Sequence, residues 1–124
     1  MNQDLVIGQI KEVAQRIVPK GGQVLLYGSR ARGEAHEGSD WDLLIILNKS
    51  KIDKGDYDNV VFPFTSLGWD IGEDIIPVIY TRDEWNKSSF LPFYKNVEQD
   101  KMVLLWVWMK SWIHLIKLQS NNIL

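Results

Sequence analysis

The sequence predicts one mixed α/β domain, and three observations support this fold class. A chain of 124 residues is long enough for one hydrophobic core and too short for two. Short apolar runs of strand length alternate with segments whose apolar residues recur at helical spacing. No internal repeat, low-complexity tract or linker divides the chain.

The composition narrows the classes of function. The formal net charge of -2 and the pI near 5.6 leave no extensive basic surface for nucleic acid. Any polyanion that binds should therefore be small and bridged by a metal ion. The absence of cysteine excludes disulfides and thiolate metal sites, and it fits a cytoplasmic location. The first residues lack the charged-then-apolar pattern of a signal peptide.

The first half of the chain predicts two helices and two strands around a turn. Residues 3–18 have helical spacing, and Pro19 with the following glycines ends that helix. A covered strand follows at Val24–Tyr27. Ser29 is the predicted N-cap of a second helix, from Arg30 to about Glu37. Asp42–Leu47 continues as a second covered strand.

The second half predicts a third strand and further helices. Pro77 places this third strand at a sheet edge or at a bulge. The predicted elements are a helix over Val60–Leu67 disturbed by Pro63, the strand Asp74–Tyr80, a short helix capped by Thr81, and a helix over Leu91–Lys101.

The C-terminal segment is the least typical part of the chain. Met102–Met109 is an unbroken run of eight apolar residues, and the expected structure is a helix over Val103–Leu118. We therefore divide the chain into a domain at 1–101 and an apolar docking element at 102–124. That element would pack on the domain, on a partner chain or on a second copy of this chain. The run is far shorter than the roughly 18 apolar residues of a membrane span.

A phosphate site is predicted where the first strand ends. The turn Gly28-Ser29 exposes backbone amides, glycine permits close approach, and Ser29 adds a hydroxyl donor. Arg30 and Arg32 are near enough to reach phosphate oxygens, and whether one or neither does so is left open. The simpler alternative is that the turn only caps a helix.

Two carboxylates strengthen the prediction of a site. Asp40 and Asp42 lie two residues apart at the start of the second strand, so they should share the face toward which Gly28 opens. Mg²⁺ prefers such oxygen ligands together with substrate phosphates. The alternative is that Asp40 caps the turn and Asp42 is solvated. Tyr27 and Trp41 flank the site, and each suits either base stacking or the core.

The spacing G-S-x10-D-W-D-L, preceded by V-L-L-Y, resembles the signature of the DNA polymerase beta-like nucleotidyltransferases. The stretch G-S-R-A-R-G-E-A-H-E-G-S-D-W-D-L is similar to the minimal nucleotidyltransferases, small domains often encoded beside a HEPN-domain protein. The resemblance implies a small mixed sheet with helices mainly on one face. It also implies transfer of AMP from ATP to a hydroxyl, with Mg²⁺ or Mn²⁺ as cofactor and a HEPN toxin as acceptor.

The resemblance further implies a third carboxylate on a neighbouring strand. The candidates are Asp70, Glu73 and Asp74. Asp74 is the choice because it directly precedes the apolar strand, and alternation places it on the face of Ile76 and Val78. A register shifted by one residue would favour Glu73 instead.

Two other functions compete with this one. In the first, the chain is an antitoxin that acts by docking, without catalysis. In the second, it transfers nucleotides to a small molecule such as an aminoglycoside. Related enzymes of that kind usually carry a further helical domain, for which this chain has little room.

Overall fold

The computed structural model of the protein describes residues 2–107. Within this range a four-stranded sheet is surrounded by helices. The elements in chain order are α1 (Gln3–Ile17), β1 (Gln23–Tyr27), α2 (Ser29–Arg32), β2 (Trp41–Leu47), α3 (Lys54–Asp56), a π-helical turn (Tyr57–Val61), α4 (Phe62–Ile71), β3 (Ile75–Thr81), α5 (Arg82–Lys87), α6 (Pro92–Asp100) and β4 (Met102–Trp106).

The sheet is mixed and has the strand order β3-β2-β1-β4. β1 runs antiparallel to both of its neighbours, whereas β2 and β3 are parallel. The mixed α/β class is thus confirmed, and all three predicted strands are present within one residue of their predicted bounds. β3 lies at an edge of the sheet, where a proline costs no central hydrogen bond.

Helices cover both faces of the sheet, and the expectation that they lie mainly on one face is therefore wrong. Two clusters of buried apolar residues make up the hydrophobic core. The larger one joins α1 and α4 to one face, and it contains Ile10, Phe64 and the alternate β2 residues Trp41, Leu43 and Ile45. The smaller cluster joins α5 and α6 to the other face, and it contains Leu44, Ile46, Trp85 and Val97. Burial on both faces explains why β2 is apolar from Leu43 to Leu47 without alternation.

The second helix is shorter than the sequence predicts. It ends at Gly33, which has a φ of 75° in the left-handed region and closes the helix as a C-cap. The prediction that it extends to about Glu37 is therefore wrong. The N-cap prediction is also wrong, because Gly28 occupies the cap position and Ser29 is the first helical residue.

The predicted helix over Val60–Leu67 is present and begins earlier than expected. An Asp53 capping box starts α3, and a π-helical turn joins it to α4. Pro63 lies in the first turn of α4, where a missing N–H costs little. The Thr81 cap and the helix near Leu91–Lys101 are also confirmed.

The start of the C-terminal segment is a strand. β4 pairs with β1 and closes that side of the sheet, and Val107 exchanges backbone hydrogen bonds with Gly21 and Gly22. The predicted helix is therefore wrong over Val103–Trp106, since periodicity alone does not separate a short buried strand from a helix. Its continuation to Leu118 lies outside the described residues. Over residues 2–107, no helix has the length and apolar character that a membrane crossing needs.

Candidate active site

The turn between β1 and α2 packs closely against the carboxylate of Asp42. Gly28 has a φ of 74°, and its carbonyl oxygen accepts the amides of Ala31 and Arg32. A Cβ atom added to Gly28 would collide with Oδ2 of Asp42. Both the backbone conformation and the contact therefore require glycine. Gly28 therefore lies directly beside the Asp42 carboxylate.

The two predicted carboxylates lie at the start of β2. Asp40 is exposed and directly precedes the strand, whereas Asp42 is partly buried and pairs in register with Tyr27 of β1. Burial raises the pKa of Asp42, and the charge of Asp40 raises it further, while Arg32 opposes both. These groups thus interact electrostatically, and the two acids repel each other. A bound cation would relieve this repulsion.

The side chain of Arg30 makes its contacts on the face of the sheet opposite to Asp42. Its guanidinium carbon lies 4.4 Å from the centre of the Trp41 ring, and Nε and Nη2 donate to the carbonyl of Ser39 at 3.3 and 3.0 Å. Nη2 also lies 3.9 Å from Oε2 of Glu73. Trp41 and Asp42 are consecutive in β2, so their side chains point to opposite faces. These contacts hold Arg30 on the Trp41 side.

Arg32 is the arginine on the Asp42 side. Its Nη1 donates to Oδ2 of Asp100 at 2.7 Å, which links α2 to α6. A cavity of about 440 Å³ opens between these two helices, and its walls include Tyr27, Gly28, Arg32, Phe93, Asn96 and Asp100. Burial raises the pKa of Tyr27 to about 12, with a further contribution from the Asp42 charge. The sequence does not predict the α6 wall, since no local motif connects it to the turn.

The candidates for a third carboxylate lie at the end of α4 and in the link from α4 to β3. Oε2 of Glu73 accepts the indole N–H of Trp41 at 3.1 Å, and the backbone carbonyl of Asp74 accepts the Trp41 amide at 2.8 Å. Asp70 lines a groove between α1 and α4. The β3 residue in register with Asp42 is Ile76. Among residues 2–107, no three acidic or histidine side chains are grouped closely enough to hold a metal ion.

Trp41 packs beneath the start of β2, and its contribution to the stability of the fold can be measured. Its ring is 1% exposed, contacts Arg30 and donates to Glu73. We expect Trp41→Phe to lower the free energy of unfolding by about 1–3 kcal/mol, because it leaves Glu73 without this donor and shrinks the core. Urea unfolding would measure the loss. The control is Trp69→Phe at a site 69% exposed, expected to change stability by less than about 0.5 kcal/mol. Equal effects would contradict the supporting role of Trp41.

Solved structures share this fold at low sequence identity. One is a toxin–antitoxin complex with AMP-PNP, with a TM-score of 0.59, 17% identity and coverage of 94% of this chain and 86% of that chain. Another is a tri-AMPylated HEPN toxin of Shewanella oneidensis in complex with its MNT antitoxin. It has a TM-score of 0.56 and 15% identity, with coverage of 98% and 87%. These likenesses confirm the predicted fold.

Sequence relatives give the family. A proposed protein adenylyltransferase of Methanocaldococcus jannaschii is 32% identical over 82 residues, which are 66% of this chain and 76% of that protein. A bifunctional uridylyltransferase/uridylyl-removing enzyme of Pseudomonas entomophila is 36% identical over 66 residues. That match spans 53% of this chain and only 7% of the enzyme. The profile of the nucleotidyltransferase domain matches residues 7–105. The chain therefore belongs to the nucleotidyltransferase domain family.

Proposed function

We propose that this domain transfers AMP from ATP to a hydroxyl group of an acceptor and releases pyrophosphate. The observation that carries the proposal is the contact of the Asp42 carboxylate with the Gly28 turn, beside a second carboxylate at Asp40. This arrangement supports the proposal, because backbone amides suited to phosphate oxygens would lie near two carboxylates suited to a metal ion. The likeness to a protein adenylyltransferase supports adenylyl transfer to a protein.

The donor set fits a divalent cation such as Mg²⁺ or Mn²⁺. Asp40 and Asp42 supply carboxylate oxygens, which these ions prefer, and their mutual repulsion favours a cation between them. When bound, the cation would neutralise charge on the phosphates and favour departure of pyrophosphate. The third predicted carboxylate, Asp74, forms no metal-binding group with these two acids among the described residues, and we leave it out of the proposed cation site.

The residues of the turn would position the triphosphate. The backbone amides at Gly28 and Ser29 and the Ser29 hydroxyl are suited to phosphate oxygens. Arg30 was predicted to share this role, but its contacts with Trp41 and Ser39 favour Arg32 as the cation that faces the phosphates. In this arrangement the acceptor oxygen bonds to the α-phosphorus as the bond to pyrophosphate breaks, and the hydroxyl proton passes to water.

The proposed acceptor is a hydroxyl on a HEPN-domain toxin, which makes this chain the antitoxin of a pair that acts in the cytoplasm. The support is the shared fold with the MNT antitoxin that was solved with its AMPylated toxin. A small-molecule acceptor has no corresponding support from the described residues.

The position of the transferred label tests the proposal. The purified chain is mixed with Mg²⁺, the candidate HEPN partner and ATP labelled at either the α- or the γ-phosphate. We expect label on the partner from α-labelled ATP alone, with one AMP added per event by intact mass. Label from the γ position would show phosphoryl transfer and would overturn the proposal. Absence of label from both, with a folded partner, would refute catalysis on this acceptor.

A further inference from the structure

The residue that faces Asp42 from β3 is apolar. β2 and β3 are parallel, and their register places Ile76 directly beside Asp42. Neighbouring strands lie about 4.7–4.9 Å apart, so these two side chains emerge next to each other on the same face. Ile76 is 44% exposed, which is unusual for an isoleucine beside a covered strand. A row of Tyr27, Asp42 and Ile76 therefore crosses three strands at the level of the site.

The other acids near β3 do not replace a carboxylate at this position. Ile75 is level with Trp41, so Asp74 lies one residue before the paired part of β3 and is offset from Asp42 toward Asp40. Glu73 is held by Trp41 and Arg30 on the opposite face. The side of Asp42 that borders β3 is thus lined by hydrocarbon.

We infer that β3 gives no ligand to the cation and that Ile76 keeps the affinity for the free cation low. This inference rests on the proposed function and concerns how the same site binds its metal. Asp40 and Asp42 supply the carboxylates that would bind the cation, and the phosphates of the nucleotide supply further oxygens. Affinity of such sites rises with the number of charged ligands. The cation is therefore held firmly only when it binds together with the nucleotide.

Equilibrium dialysis of Mn²⁺, with the same concentration of AMP-PNP or none on both sides of the membrane, measures the protein-bound ion and tests this inference without any acceptor. The unaltered chain should bind Mn²⁺ alone weakly, and at least about tenfold more tightly in the presence of AMP-PNP. Ile76→Asp should bind Mn²⁺ alone at least about tenfold more tightly than the unaltered chain, since it adds a carboxylate beside Asp42. Ile76→Asn is the control of matched shape without charge, and it should show no gain.

A second variant guards against local distortion, because aspartate is disfavoured in strands. Ile76→Glu carries the same charge on a longer side chain, and thermal unfolding checks that each variant is folded. Tight binding of Mn²⁺ alone by the unaltered chain would overturn the inference, as would an unchanged affinity in both acidic variants. If the unaltered chain binds no Mn²⁺ even with AMP-PNP, the proposed function itself fails. The two failures are therefore distinguishable.

Discussion

Replacing Asp42 by Asn is expected to lower the rate of AMP transfer by roughly a thousandfold. Asparagine keeps the shape that contacts the Gly28 turn but removes the charge that would hold the cation. Loss of several kcal/mol of transition-state stabilisation corresponds to this factor, at about 1.4 kcal/mol per tenfold. Single-turnover transfer from α-labelled ATP measures the rate. Asp40→Asn should show a loss of similar size.

Two comparisons make this prediction specific. Burial and the Asp40 charge raise the pKa of Asp42, so the ionised carboxylate is disfavoured in the folded, metal-free chain. Asp42→Asn should therefore leave the thermal midpoint in metal-free buffer unchanged or higher, despite the loss of activity. Asp74→Asn is the matched control, and it should retain activity within a few-fold. A loss as large as that of Asp42→Asn would restore Asp74 as a third catalytic acid.

The same variants separate catalysis from docking. If the chain neutralises its partner by adenylylation, Asp40→Asn and Asp42→Asn should abolish neutralisation in a growth assay. Retained neutralisation would favour the docking alternative. The informative truncation for that alternative begins at residue 108, because Trp106 still belongs to β4 and Val107 is bonded to Gly21 and Gly22.

Gly28→Ala is expected to reduce AMP transfer by at least about a hundredfold. The new methyl group would collide with Oδ2 of Asp42 and displace either the turn or the carboxylate. Displacements of about 1 Å at a reacting centre can cost this factor. The left-handed backbone adds a stability cost of about 1–3 kcal/mol for a residue other than glycine. Transfer rates and urea unfolding of the variant measure the two effects.

Gly33 offers a matched control for this change. Its φ of 75° nearly equals the 74° of Gly28, but a Cβ atom there would meet no other atom within 4 Å. Its ψ of 20°, against -160° at Gly28, is the ordinary left-handed conformation, so Gly33→Ala should lose only about 1 kcal/mol of stability while activity falls only a few-fold. If both variants lost activity equally, backbone strain rather than the contact with Asp42 would explain the effect of Gly28→Ala.

Local spacing predicts the part of the site that lies within one stretch of chain. The ten residues between Ser29 and Asp40 allow a turn and a short helix before β2, and this brings Asp42 against Gly28. Alternation along β3 predicts that Asp74 and Ile76 share one face of the sheet. It does not show which of the two is level with Asp42. The register between β2 and β3 decides which residue is level with Asp42, and the sequence of one strand does not reveal that register.

The strand β4 and the cavity wall formed by α6 both depend on contacts between distant parts of the chain. Met102–Trp106 reads equally well as a helix or a strand, and it becomes a strand because β1 offers it an unpaired edge. The link from Arg32 to Asp100 joins residues 68 positions apart. No sequence period relates them, so the wall formed by α6 could not be predicted from the sequence.

The course of β4 has a consequence for engineering the chain. β1 carries Tyr27 at the end near Asp42, and Gln23 at the end where Trp106 pairs and Val107 follows. Four residue steps at about 3.3 Å place these two ends roughly 13 Å apart. Whatever is attached after Val107 therefore starts at the opposite end of the strand from Asp42. A fluorescent label or an affinity tag joined there begins away from the proposed nucleotide site and suits measurements of partner binding.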